Sequence, residues 1–406
     1  MLLTRPARPA RRAGRNLLQL PGPTNVPDAV RLALAEPTLD HRGEQFQVLA
    51  RGVLADVAPL FGTTRPVALF PGSGSGGWEA ALVNTCRPGD RVVVYETGHF
   101  AAGWAALAAR LGLDVQVVAG EWGEPVRADA LREVLVADRV GRIRAVLVVH
   151  NETSTGVTSD VAPVRAALDA AGHGALLMVD AVSSLGAMAV EHDAWGADVT
   201  VTASQKGLML PPGLVLVAVS ARAEAARASA GLSCGYWDFA PMLAAAGTGS
   251  FPYTPASNMI AALRASLDLI AAEGLDAVFS RHRRLAAATR AAVTAWGLDL
   301  LCSDPAAQSS SVTAVLLPAG ADEAAIKAEL LDRFGVTVGG GLGRLAGRCL
   351  RIGHLGDVDE MMVISTLAAL EMVLTGRGVA RSGGVASAMA VLGGQGATAQ
   401  PVGAQH

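Results

Sequence analysis

Residues 199–214 read VTVTASQKGLMLPPGL: an apolar β-branched run, then Ser204, Gln205 and Lys206, then a glycine and a proline pair. A lysine just past a buried strand sits at the rim of an α/β sheet, where ligands bind. Apolar flanks and a restricted backbone set it apart from a lysine on a solvated face. Partial burial beside positive charge lowers an amine's pKa and suits it to Schiff-base chemistry. Asp180 closes the apolar run ALLMVD, 26 residues before Lys206. A carboxylate at that depth needs a partner. The partner is either backbone N–H groups, as at a cap or loop anchor, or a cation such as a protonated ring nitrogen. Arg351 lies within the apolar run CLRIG, where a guanidinium requires an anion. A substrate carboxylate matches its two-pronged donor geometry, and a structural ion pair is the competing account.

Three further segments end apolar runs. In VVHNETSTGV, Thr153 offers a hydroxyl to a phenolate-type oxygen, while His150 reads as a structural histidine. In ETGHFAAGW, Phe100 follows the run RVVVY, where a ring stacks on a flat ligand or packs in the core. The stretch VALFPGSGSGGWEAALVN places Gly72, Gly74 and Gly77 in the pattern GxGxxG, and Glu96 ends the next apolar run 19 residues after Gly77. Taken alone, this is the fingerprint of a dinucleotide-binding βαβ unit. Pro71 and the roughly one-sixth of the chain that precedes the loop speak against it. The backbone N–H groups of Ser73, Gly74 and Ser75 at a helix start suit a single phosphate dianion equally well. A phosphate loop, a stacking ring, a buried aspartate, a lysine and an arginine are together the parts of a pyridoxal 5′-phosphate site for amino acids.

The elements that must position these residues follow from periodicity. Apolar runs at 67–70, 91–95, 114–118, 144–149, 175–180, 199–203 and 214–219 are continuous rather than alternating, as expected of strands buried on both faces. Helical patterns alternate with them, such as VAPVRAALDAAG, which opens after Asp160 as N-cap and closes at Gly172. This predicts an α/β fold with a mainly parallel sheet between helices. Two long helices broken at Gly274, the runs SVTAVLLP and CLRIGHLG, and a helix around Val358–Leu374 predict a smaller C-terminal α+β domain. The expected division is a disordered extension (1–16), a large domain (17–260), a small domain (261–375) and a Gly/Ala-rich tail (376–406) that is mobile or a surface arm.

Composition narrows the function. A net charge of −3 gives no basis for nucleic acid or an anionic membrane as partner. No run approaches the roughly 18 apolar residues of a membrane span. Four scattered cysteines without metal-ligand spacing point to a reducing, cytoplasmic setting and to no metal site. The five arginines and two prolines of the first 16 residues read as disordered chain, not as an amphipathic targeting helix.

With these residues in hand, the chain resembles the class V aminotransferases of fold type I, in particular the serine–glyoxylate and aspartate–glyoxylate branch. The segments PGPTNVP, DHR, LFPGSGSGGWEAALVNT, LVVHNETSTGV, LLMVDAVSSLG, SQKGLMLPPGL, FPYTPA and LRIGHLG carry the resemblance in family order over about residues 17–375. It implies that Lys206 bonds the cofactor and then shuttles the substrate proton, and that Asp180 holds the pyridine nitrogen protonated. Phe100 and Val182 would flank the ring and Thr153 would meet its hydroxyl. Ser73, Gly74, Ser75 and Gln205 would bind the phosphate, with Thr254 reaching in from a second subunit. Arg351 would clamp the α-carboxylate, and Pro21–Asn25 would close over the substrate with Asn25 in contact. A homodimer or higher assembly with shared sites follows. Phe251 stands where the alanine–glyoxylate branch has a phosphate-binding tyrosine, leaving Tyr253 to supply the hydroxyl or not. The implied activity passes an amino group from a small L-amino acid, serine first, to glyoxylate, giving glycine and hydroxypyruvate. Alternatives are aspartate or alanine as donor, pyridoxamine–pyruvate transfer, a cysteine desulfurase-like lyase and, from a different class, an NAD-dependent dehydrogenase.

Overall fold

The computed structural model of the chain describes residues 16–394. The arginine-rich start, apart from Asn16, and residues 395–406 lie outside the described residues. In chain order the strands are β1 (Leu17–Gln19), β2 (Val67–Gly72), β3 (Arg91–Glu96), β4 (Asp114–Ala119), β5 (Ile143–Val149), β6 (Asn151–Glu152), β7 (Val157–Thr158), β8 (Leu176–Asp180), β9 (Val199–Ala203), β10 (Gly213–Val219), β11 (Val312–Leu316), β12 (Val336–Gly340) and β13 (Cys349–Gly353).

The seven apolar runs form one sheet in the order β2-β10-β9-β8-β5-β3-β4. Neighbours from β9 to β4 pair in parallel, and only β10 is antiparallel to its neighbours. Side chains alternate between faces along each strand. In β5, Val146 and Val148 enter one core while Ala145, Leu147 and Val149 enter the core on the opposite face. Burial on both faces is why these strands read as unbroken apolar runs. Crossover helices such as Gly74–Val83 and His99–Arg110 cover the faces. The topology gathers the carboxyl ends of β2, β3, β5, β8 and β9 at one edge. Asp180 closes β8, and Ser73, Phe100, Thr153 and Lys206 lie past the other ends, so five residues spread over more than 130 positions converge.

The second lobe is a four-stranded sheet, β1-β12-β13-β11, under the helices Leu275–Ala295 and Glu360–Gly376. Both expected domain boundaries shift. Leu17–Gln19 pairs in parallel with Val336–Val338 and so belongs to the small sheet, not to the large domain. The helix Ser257–Glu273 runs through position 260 and packs Ile260, Leu263, Leu267 and Ile270 into the large core. The change of core falls within the helix Leu275–Ala295, between Val278 and Leu285. In the described part of the tail, Gly384–Gly394 is a helix docked on the small lobe, with Ala388 buried. The Glu371 carboxylate accepts hydrogen bonds from Trp296 Nε1 and from the amides of Gly383 and Val385. Glu371 thereby anchors the start of that helix, and Gly384 lies against the Trp296 indole too closely for a Cβ. Asp160 stands one residue before the N-cap Val161, its carboxylate accepting from Ala162 N at 3.1 Å.

Candidate active site

At the carboxyl edge of the large sheet a cavity of about 270 Å³ is walled by Ser73, Gly74, Ser75, Phe100, Thr153, Asp180, Val182, Gln205 and Lys206. Gly22, Pro23, Trp78, Asn151 and Pro212 complete the wall. A larger hollow of about 650 Å³ lies at the opposite, amino ends of the strands and is lined by Arg87, Arg142, Arg144 and His173 among others. It holds neither a lysine nor a buried unpaired carboxylate, so the chemistry belongs to the smaller cavity.

The glycine loop is built for close packing. Ser73 is the N-cap of the helix Gly74–Val83, and its side chain makes no capping bond. The first amides of such a helix have no intrahelical acceptor and carry its positive end, which suits a phosphate. The glycines admit neighbours. A Cβ on Gly77 would lie 2.3 Å from Val201 Cγ1, one on Gly74 2.8 Å from Val182 Cγ2, and one on Gly76 2.5 Å from the Trp237 ring. None of them takes a positive φ. Glu96, the residue a dinucleotide reading assigns to a ribose, instead accepts from Trp122 Nε1 at 3.0 Å and pairs with Arg344 at 2.6 Å.

Lys206 is buried, and its Nζ donates to the carbonyl of Pro21 at 2.6 Å. Burial, and then the charge of Arg351, press its pKa down to about 8, against the pull of Asp180 and Glu152. The amino-terminal segment lies directly on it: Thr24 N donates to Gln205 O and Thr24 Oγ1 to Lys206 O. A Cβ on Gly22 would overlap the end of the lysine side chain.

Asp180 accepts from Val182 N at 2.7 Å through one oxygen and from Trp78 Nε1 at 2.9 Å through the other. Burial nevertheless raises its pKa to about 7, with Glu152 adding to the rise and both hydrogen bonds opposing it. The Trp78 ring stacks on Trp104 at 5.7 Å and meets Phe100 edge-on at 6.4 Å. Thr153 Oγ1 donates to Ser183 Oγ at 2.7 Å. Asn151, missed in the sequence, donates to Ser183 Oγ and Ser311 Oγ. Glu152, also missed, is fully buried and accepts from the amides of Phe100, Ala101 and Ser154. Its signal was present as an acid inside an apolar strand-end motif, a place no acid occupies without partners. His150 is neutral, pressed to about 4 by burial, and bonds Ser184 Oγ.

Arg351 stands behind Thr153, its Nη1 donating to Thr153 O at 3.2 Å and its Nε to Gly340 O at 2.7 Å. It is buried, burial presses its pKa down, and among the described residues no carboxylate lies within ion-pair distance. The competing structural salt bridge is therefore not formed. Arg351 thus stands behind the wall, and two further candidates, Asn25 and the Thr254 expected to serve a second subunit, do not line the cavity either. Asn25 donates to Leu18 O and lines a separate hollow with Asn16 and Asp357, because β1 carries the segment into the small sheet. Thr254 is exposed, beside Tyr253, whose hydroxyl donates to Tyr236 O at 2.9 Å. Phe251 packs against Phe46.

Comparison with known proteins decides the family. The model described as Aminotransferase class-V matches residues 30–350. This chain belongs to the class-V aminotransferases. It is 46% identical over 365 residues to the L-aspartate–glyoxylate aminotransferase of Paracoccus denitrificans, covering 90% of this chain and 92% of that protein. It is 44% identical over 390 residues to the serine–glyoxylate aminotransferase of Methylorubrum extorquens, covering 94% and 97%. The crystal structure of pyridoxamine–pyruvate aminotransferase from Mesorhizobium loti superposes with a TM-score of 0.87 at 30% identity, covering 93% of this chain and 97% of that one.

The cofactor of this aminotransferase family is pyridoxal 5′-phosphate, and the cavity fits it. Gln205 lines the same wall as Ser73, Gly74 and Ser75, and its side-chain amide N–H groups are donors that a phosphate oxygen accepts. Asp180 is a buried carboxylate held at both oxygens but lacking a full opposing charge. Lys206 is an amine near its neutral range. A donor set of loop amides, a buried carboxylate and a depressed lysine matches a phosphate, a protonated ring nitrogen and an aldehyde, respectively.

Proposed function

We propose that this aminotransferase transfers the amino group of a small L-amino acid, L-serine first, to glyoxylate, with glycine and hydroxypyruvate as products. The observation that carries the reading is Arg351: a buried guanidinium bonded to Thr153 O at the Lys206 cavity, with no carboxylate within ion-pair distance among the described residues. Such a group is matched by the carboxylate that every amino acid and 2-oxo acid carries. Among the described residues the charged groups of the cavity wall are Asp180 and Lys206, which leaves no second cation for a side-chain carboxylate. That supports serine over aspartate as donor, and the likeness to glyoxylate aminotransferases of both donor types supports glyoxylate as acceptor.

Bound pyridoxal phosphate supplies an electron sink for the carbanion formed at the substrate Cα. The chain's residues do the rest. Lys206 would hold the cofactor and, as a free amine with a pKa near 8, would carry the substrate proton between Cα and the cofactor's C4′ carbon. Asp180 keeps the ring nitrogen protonated. The amides of Ser73, Gly74 and Ser75 and the Gln205 side chain hold the phosphate, while Phe100, Val182 and Thr153 fix the ring. Arg351 orients the α-carboxylate, and the Pro21–Thr24 segment excludes water above Lys206. The chain works as a homodimer in this reading, with the exposed Thr254 completing the partner's phosphate site. Its buried thiols at Cys86, Cys302 and Cys349 accord with a cytoplasmic location.

Mixing the cofactor-loaded protein with one amino acid at a time tests the donor. Loss of the visible absorbance is expected with L-serine at a higher kcat/KM than with L-aspartate or L-alanine, and glyoxylate restores it. A higher value for L-aspartate overturns the donor assignment. Restoration by pyruvate but not glyoxylate overturns the acceptor.

A further inference from the structure

Trp78 takes no part in the chemistry above, yet its indole reaches the most sensitive carboxylate of the site. Its Nε1–H donates to Asp180 Oδ2 at 2.9 Å, while the Val182 amide holds Oδ1 at 2.7 Å. The ring is clamped by stacking on Trp104 at 14° and by edge contact with Phe100 at 68°. An indole N–H is a donor at every pH and can never accept. Each Asp180 oxygen therefore receives one fixed hydrogen bond and keeps a lone pair for a third donor. The charged groups that act on Asp180 are Glu152, which disfavours its ionised form, and Lys206, which favours it. Against burial and Glu152, a permanent neutral donor on Oδ2 favours the carboxylate over the carboxylic acid.

We infer that Trp78 is a positioning residue for the cofactor's ring nitrogen: its N–H orients Asp180 and keeps it ionised, so that the carboxylate selects a protonated pyridine ring. The inference rests on the reading of Asp180 as the partner of that nitrogen. It makes Trp78 more than a packing residue, and it links the ring-flanking Phe100 and the ring-nitrogen partner through one indole.

The test is cofactor binding to the apo-protein, with pyridoxal phosphate and its 1-deaza analogue, in which the ring nitrogen is a C–H. Wild type is expected to prefer pyridoxal phosphate. Trp78→Phe keeps an aromatic ring against Trp104 but removes the N–H, and is expected to weaken pyridoxal phosphate binding about tenfold or more, with the analogue unaffected. In an Asp180→Asn background the same substitution should add no further loss for pyridoxal phosphate. Equal weakening of both ligands by Trp78→Phe, or a full additional loss on top of Asp180→Asn, overturns the inference in favour of plain packing. Should Asp180→Asn itself leave the preference for pyridoxal phosphate intact, the reading of Asp180 fails and takes this inference with it. If Trp78→Phe does not fold, the Trp78 indole N–H resonance of the wild-type apo-protein decides. A pH-dependent shift that Asp180→Asn abolishes supports the inference, and a resonance that ignores Asp180 overturns it.

Discussion

Arg351 and Thr153 are joined across the two lobes: the guanidinium of a small-sheet strand donates to the carbonyl of the loop that follows β5. One of its bonds thus holds the residue assigned to the cofactor's hydroxyl and Nε holds Gly340 O, which leaves Nη2 for the substrate carboxylate in the proposed function. Arg351→Lys keeps the charge but loses the fork, and is expected to lower kcat/KM for the amino donor about 10- to 100-fold, as for a lost charged hydrogen bond. Cofactor affinity should change far less. Half-reaction kinetics beside cofactor titration separate the two. A variant that binds donor normally removes Arg351 from the carboxylate role.

Lys206→Ala is expected to abolish both the visible absorbance of lysine-bound cofactor and transamination, while the protein still folds. Absorbance spectra and circular dichroism check this.

The cofactor-free protein should show two opposed pH dependences of stability. Asp180 is raised from its ordinary value to about 7. Between about 4 and 7 the native state holds a proton that the unfolded chain has released, so this group lowers stability as pH rises through that window. Lys206 is lowered to about 8. Between about 8 and 10.5 the unfolded chain holds the extra proton, so stability rises with pH there. Asp180→Asn should therefore remove the fall in apo-protein stability between about pH 4 and 7, whatever its effect on the absolute stability. Thermal melts across pH, with and without the substitution, measure it, and an unchanged slope from 4 to 7 counts against the assignment.

Glu152 anchors the start of the helix that carries Phe100. Gly98→Ala would put a Cβ 2.4 Å from Ser154 Oγ and 2.5 Å from Glu152 Cγ, displacing both. An expected cost of about 1–3 kcal/mol in stability should come with weaker cofactor binding, since Phe100 moves with the helix. Denaturant melts and cofactor titration of the one variant report the two effects.

Gly77→Ala separates packing from loop flexibility. The helix already has ordinary dihedrals there, so any loss reflects the clash with Val201 and Val215, about 1–3 kcal/mol. Val201→Ala in the same chain should recover part of it. Gly52→Ala, in a helix with open space around the new methyl, should instead stabilise by about 0.5–1 kcal/mol.

The large sheet was legible because burial on both faces leaves its signature inside each strand. Lys206, Asp180 and Thr153 were legible because a polar residue ending such a strand is costly without a purpose. Other features depend on partners far away in sequence. Nothing within Leu17–Gln19 announces that it pairs with Val336–Val338, so the first domain boundary and Asn25 were misplaced together. The helix Gly384–Gly394 is composed of small residues, and only Glu371 and the flat face of Trp296 give it somewhere to dock. Trp78 reads as core from its neighbours, since the acceptor of its N–H is 102 residues later.

Because β1 belongs to the small sheet, the chain runs from that lobe across Lys206 before it enters the large one. The carbonyl of Pro21 that holds the amine is two residues past the end of β1. The opening residues thus tie the edge of the small sheet to the Lys206 amine within five positions. A truncation that removes residues 1–25 would therefore take away a sheet edge and the restraint on Lys206 in one cut.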